Sequence, residues 1–167
     1  MEKTETIIQY ASTYSDPPEG VRQASRAIIV KDGKILLTYE TNTDVYMSPG
    51  GGVEPGETLE ECCVRELSEE TGYTVKPIKQ FLTINEYCFE IMFVSNYFIC
   101  EITGKAEQKL TEIEIEHGAT PVWLDFDEAL EMFSRYTEEK REDIYSLYMR
   151  EYTALTKYKS ERKKKRK

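Results

Sequence analysis

Three carboxylates stand close together in the middle of the chain, at Glu66, Glu69 and Glu70. On a helix turning about 100° per residue, positions i, i+3 and i+4 share one face. Like charges at that spacing repel by a few tenths of a kcal/mol per pair, so the arrangement calls for a compensating partner. Carboxylate oxygens projecting from one rigid element suit a hard divalent cation such as Mg²⁺ or Mn²⁺, which in turn pairs with phosphate oxygens. Arg65, four residues from both Glu61 and Glu69, is placed to hold a carboxylate by hydrogen bonding from behind. Taken alone, three acids at this spacing also fit a solvated helix face.

The flanking residues predict the helix that would carry them. Thr58 is an N-cap, Glu61 three residues on completes a capping box, and Gly72 is a stop, which brackets a helix over 58–71. Leu59, Cys63 and Leu67, spaced by four, form the apolar stripe that seats it. In the loop before it, Gly50, Gly51 and Gly52 lack Cβ atoms and let backbone approach a ligand closely.

The stretch from Gly51 to Tyr73 resembles the Nudix box, with matches at Gly51, Glu57, Arg65, Glu66, Leu67, Glu69, Glu70 and Gly72. The resemblance extends over residues 22–135, through the preceding hairpin, Pro49-Gly50 and the Trp-Leu-Asp-Phe-Asp-Glu-Ala-Leu segment at 123–130. Departures are Tyr46 where the family often has Trp, Ser48 where an apolar residue is common, and Tyr73 at the final apolar position. The resemblance implies an α/β/α sandwich with a mixed sheet and, here, a C-terminal helical extension. It implies metal ligands at Glu66, Glu69, Glu70 and the Gly50 carbonyl, for Mg²⁺ with Mn²⁺ as the alternative, and an orienting role for Glu57. The catalytic set is Glu66, Glu70, Glu57 and Arg65. The implied reaction is attack of water on a P–O–P bridge in a nucleoside-diphosphate-linked small molecule or a nucleoside triphosphate.

Other residues leave alternatives open. The general base is Glu66, Glu70, or an acid of the Glu112, Glu114, Glu116 cluster in the loop before Trp123. His117, the single histidine, reads as a surface residue of that loop. Substrate contacts are assigned to Gly51, Gly52, Glu112, Glu114 and Arg26. Arg26, with Arg22, immediately precedes the first core strand and can fork onto a phosphate or be a plain strand-end charge. Trp123 and the series Tyr87, Phe89, Phe93, Tyr97, Phe98 suit a core better than base stacking. Competing functions are a non-catalytic nucleotide sensor, an RNA 5′-end pyrophosphohydrolase and a structural cation-binding domain.

The remaining pattern is that of one mixed α/β domain over 21–156. Residues 1–20 read as an N-terminal arm or edge strand ending in Asp16-Pro17-Pro18-Glu19-Gly20. Residues 27–30 and 35–39 predict a hairpin around Asp32-Gly33. Residues 73–102 are rich in β-branched and aromatic types, 87–102 predict one long strand or a hairpin broken near Ser95-Asn96, and 122–124 a short strand. Helices are expected from 127–132 and over 138–158. The net charge of −9 splits into +7 over residues 157–167 and −16 over the rest. That tail is expected to be disordered, with contact to nucleic acid as the lesser reading, and the acidic body argues for a nucleotide-like small molecule over a polyanion. Cysteines at 62, 63, 88 and 100 have no disulfide or zinc spacing, and no apolar run reaches the roughly 18 residues that span a bilayer. A reducing, cytoplasmic location and no membrane partner are the expectations, with a homodimer through the aromatic strand or the C-terminal helix as one assembly.

Overall fold

The computed structural model of the chain describes residues 3–167. Strand β1 (Glu5–Tyr14) leads to β2 (Gly20–Ile28), β3 (Val30–Lys31) and β4 (Lys34–Glu40). Short strands β5 (Val45–Met47) and β6 (Gly50–Gly52) precede helix α1 (Leu59–Thr71). Then come the long strands β7 (Tyr73–Phe89) and β8 (Ile91–Lys105), helix α2 (Glu112–His117) and β9 (Ala119–Asp125). Helix α3 (Phe126–Ser134), a 3₁₀ turn at Arg135–Glu138 and α4 (Glu142–Lys164) end the chain.

The strands form two sheets, one of order β1-β7-β8-β2-β6 and one in which β4 pairs β3, β5 and β9. The first is mixed: β1 runs parallel to β7 and β2 parallel to β8, while β7 and β8 are antiparallel. Helix α1 covers one face, where Cys63 and Leu67 pack with Ala27, Leu36, Val75 and Phe98. Helices α3 and α4 cover the other, where Phe133, Leu155 and Tyr158 pack with Ile28, Leu37 and Phe81. The result is the expected α/β/α sandwich.

Local signals are obeyed where they are strong. Asp32 and Gly33 both take positive φ, 52° and 76°, in the turn between β3 and β4. Thr58 and Glu61 form both halves of the capping box, and Gly72 ends α1 in the left-handed conformation.

Four expectations are corrected. The β7–β8 turn falls at Phe89-Glu90, with Phe89 at φ 53°, and not at Ser95-Asn96. Asn96 is a buried ladder residue whose amide donates to Gln23 Oε1 and Ala24 O and accepts from Thr83, so its polar groups are satisfied inside the sheet. The acidic loop before Trp123 folds as α2, capped by Thr111 and Glu114 and ended by Gly118 at φ 71°. The expected helix over 138–158 begins only at Glu142. The basic tail is not a disordered end, since α4 continues to Lys164. Tyr158 is buried there, and ion pairs join Lys157 to Glu5, Lys159 to Asp127 at 2.9 Å and Glu161 to Lys79 at 3.4 Å. The N-terminal residues that Lys157 reaches are themselves ordered as edge strand β1.

Candidate active site

Arg65 ties the glycine loop to helix α1. Its guanidinium donates to both oxygens of Glu57, at 2.6 and 3.0 Å, and to the Gly52 carbonyl at 3.0 Å. It also reaches Glu66 at 2.8 Å and Glu69 at 3.3 Å. Glu57 accepts in turn from the Glu54 N–H at 2.9 Å. The Arg65 guanidinium holds the Glu57 carboxyl down at about 2, and the same carboxylate raises Arg65. Glu57 and Arg65 therefore act as a brace between loop and helix.

Glu70 is buried at 7% exposure and accepts the Gly50 N–H at 2.8 Å. Burial pushes its carboxyl up to about 7, and burial raises Glu66 as well. The glycines are required by close approach. A Cβ on Gly51 would lie 2.5 Å from the Glu66 carboxylate, and one on Gly50 would lie 2.1 Å from the Ser25 carbonyl.

The three carboxylates do not converge as the sequence suggests. Among the described residues no three His, Cys, Asp or Glu side chains are gathered closely enough to hold a metal. Glu66 and Glu69 lean on Arg65, and Glu70 turns to the Gly50 N–H. Mutual repulsion drives like charges at helical spacing toward such separate partners. Gly50, expected to offer its carbonyl, presents its N–H to this carboxylate. The donor chemistry nonetheless fits a hard cation: Glu66 and Glu70 are partly desolvated carboxylates lining one cavity beside cleared backbone. Glu69 lines a separate shallow hollow with Ser68 and Lys109.

That cavity measures about 670 Å³. Its lining includes Glu66, Glu70 and Gly50–Gly52, with Arg22 and Arg26 beside the glycines. Strand pairing explains the arginines: alternate residues Arg22, Ala24 and Arg26 of β2 share a face with their β8 partners Phe93, Ser95 and Tyr97. Arg26 donates to the Ser48 carbonyl at 3.2 Å, while its buried Nε has no hydrogen-bond partner. Burial lowers its pKa. Met47, Phe93 and Leu147 supply apolar wall, and Glu114 and Ile113 of α2 close one side. Of the acids before Trp123, Glu114 lines the cavity and Glu112 does not. His117 pairs with Glu40 at 3.3 Å. Trp123 faces elsewhere, Tyr97 and Phe98 are core, and Phe89 joins Phe93 on the wall.

Sequence reasoning missed the cluster behind this cavity. Arg150 of α4 pairs with Glu86 and Glu151, each at 3.1 Å, and donates to the Tyr97 hydroxyl at 3.0 Å. Glu151, wholly buried, accepts from Ser48 Oγ at 2.5 Å. This accounts for Ser48 at a position where an apolar residue is common. Asp143, Leu147 and Arg150 all reach the cavity from one face of α4, and their i, i+4, i+7 spacing was the available signal. Glu86 carried no local signal.

Comparison with known proteins agrees with this geometry. The ADP-ribose pyrophosphatase of Methanocaldococcus jannaschii is 48% identical over 60 residues, covering 34% of this chain and 35% of its own length. A putative 8-oxo-dGTP diphosphatase of Bacillus subtilis is 38% identical over 95 residues, 57% of each chain. The matched part thus spans about a third to just over half of these relatives. Among solved structures, a Nudix hydrolase from Nitrosomonas europaea superposes with a TM-score of 0.58 at 22% identity, covering 80% of this chain and 88% of that one. The model of the NUDIX domain matches residues 21–147. With that match across most of its length, the chain belongs to the Nudix family.

Proposed function

We propose that the protein hydrolyses the P–O–P linkage of a nucleoside-diphosphate-linked small molecule or a nucleoside triphosphate, with Mg²⁺ as the working metal and Mn²⁺ as a substitute. The observation that carries this is one cavity whose lining combines Glu66, Glu70, the glycine strip and two arginines with the apolar side chains Met47, Phe93 and Leu147. A nucleotide calls for the same combination, charged partners for its phosphates and apolar wall for its base.

Glu66 and Glu70 would hold the cation, with Glu69 recruited from Arg65. When bound, the metal supplies charge neutralisation for a phosphoryl oxygen and a lowered pKa for water. Whichever of Glu66 and Glu70 keeps an oxygen free of the cation, or Glu114 of the same lining, would accept the proton of the attacking water. Arg26, with its partnerless buried Nε, and Arg22 would meet the phosphate oxygens of the substrate. Glu57 and Arg65 keep the loop and helix in register and do not touch the reacting atoms. Two relatives are named for ADP-ribose and 8-oxo-dGTP, and both compounds carry the required anhydride.

The test is product release from a panel of nucleoside triphosphates, ADP-ribose and other nucleotide conjugates, with Mg²⁺ and with chelator. Turnover should require metal, and Arg26→Ala should raise KM by about tenfold, the scale of one lost charge-assisted phosphate contact. Metal-independent turnover, or an unchanged KM in Arg26→Ala, would remove the corresponding part of the proposal.

A further inference from the structure

A second hollow, of about 580 Å³, shares no lining residue with the candidate catalytic cavity. Two cross-strand pairs frame it. Lys31 and Lys34 are register partners across the β3–β4 turn, and Tyr73 and Lys105 are register partners where β7 begins and β8 ends. Trp123 of β9 and Ile102 of β8 supply the apolar floor, with Trp123 meeting Tyr73 edge to face at 6.2 Å between ring centroids.

The charge pattern is unusual for this chain. Its net charge is −9, yet three exposed lysines converge here with Asp32 as the single acid of the lining. None of the three makes an ion pair among the described residues. Asp125, the register partner of Lys34 on β9, is engaged in capping α3 through the Glu128 N–H at 3.0 Å. Like charges placed directly opposite on paired strands destabilise the ladder, and an anion between Lys31 and Lys34 would reverse that sign. Acids elsewhere on the body are screened beyond a Debye length of about 8 Å at physiological salt, so the local potential decides what binds.

We propose that this hollow is a second, non-catalytic site for a free nucleotide, with the base against Trp123 and the 5′-phosphate held by Lys31, Lys34 and Lys105. An indole or phenol face takes any base by stacking, and lysines take phosphate as point charges without demanding a fixed geometry. A volume of about 580 Å³ accommodates one mononucleotide, within the usual range of roughly 300–1,000 Å³ for small-molecule sites. The site stands or falls independently of the hydrolase activity proposed above.

Trp123 is the only tryptophan of the chain, so a nitrogen-15-labelled sample gives one indole N–H signal, placed at this site. With chelator present, AMP and GMP should shift that signal saturably, with dissociation constants below about 1 mM. Adenosine and inorganic phosphate alone should each bind at least about tenfold more weakly, because each makes half of the contacts. The double variant Lys31→Gln, Lys34→Gln removes the like-charge pair at exposed turn-flanking positions and should keep at least the wild-type melting temperature while weakening AMP by at least about tenfold. Glu66→Gln should leave the titration unchanged. An unmoved indole signal would overturn the proposal, as would wild-type affinity in the double variant or phosphate binding as tightly as AMP. A shift produced by short single-stranded RNA and not by mononucleotides would also overturn it, by assigning the patch to a polymer.

Discussion

At Gly51 the distance between function and failure is one methyl group. A Cβ there would sit 2.5 Å from the Glu66 carboxylate, so Gly51→Ala must displace either the loop or the carboxylate. Metal-dependent turnover should fall by at least about tenfold while thermal stability changes little, read from kcat beside a melting curve. Glu57 makes a different prediction. Its folded pKa of about 2 lies below the ordinary carboxylate value of 4.5. Its contribution to stability is thus fully present above pH 4.5 and is lost as pH falls toward about 2. In Glu57→Gln, unfolding free energy measured across that window should vary less steeply than in the wild type. Both residues were legible in the sequence because the box fixes residue type against spacing. The positions taken up by Glu66, Glu69 and Glu70 were not, because helical spacing says which face a carboxylate shares and not which neighbour it hydrogen-bonds.

Among the elements, those with local instructions were legible. The capping box and Gly72 bounded α1, and Asp32-Gly33 bounded the β3–β4 hairpin, because those signals act within a few residues. The β7–β8 turn was not, since Phe89-Glu90 lacks the usual turn residues while Ser95 and Asn96 imitate them. The Asn96 side chain is satisfied by Gln23 and Thr83, distant in sequence. Helix α4 shows the same limit, because its buried Arg150 and Glu151 are joined by Glu86 of β7, 64 residues away in sequence, through the shared Arg150. Breaking such a buried network is costly, as it leaves charge without a partner. Glu151→Ala should therefore lower stability by about 3–5 kcal/mol in denaturant unfolding. It should also loosen Ser48 and the glycine loop that follows it, seen as a raised KM under conditions where the variant is folded.

For the whole molecule, the order of strands and helices was enough to expect a mixed α/β sandwich, since amphipathic helices must bury one stripe on a sheet. Composition misread the last turns. Eight Lys and Arg in residues 157–167 look like a solvated tail, yet Tyr158 is buried against Phe81 and Phe126, Lys157 and Lys159 pair with acids of the body, and Glu161 pairs with Lys79. Removing residues 157–167 should cost about 1.5–3 kcal/mol for the tyrosine alone, measured by urea unfolding. A free tail would leave the unfolding curve unchanged. Long-range complementarity of this kind is invisible to a reading that treats each charge run by itself.

The central claim is that the carboxylates of α1 run a metal-dependent cleavage of a phosphoanhydride. It is tested most directly by single-turnover kinetics with Mg²⁺ on whichever anhydride the panel identifies, comparing wild type with Glu66→Gln. Release of two phosphorylated products by the wild type and a loss of at least about 10²-fold in the variant, with nucleotide binding retained, is the result expected for a residue that acts on the transition state. Equal rates in the two proteins, or binding without cleavage in both, would contradict it.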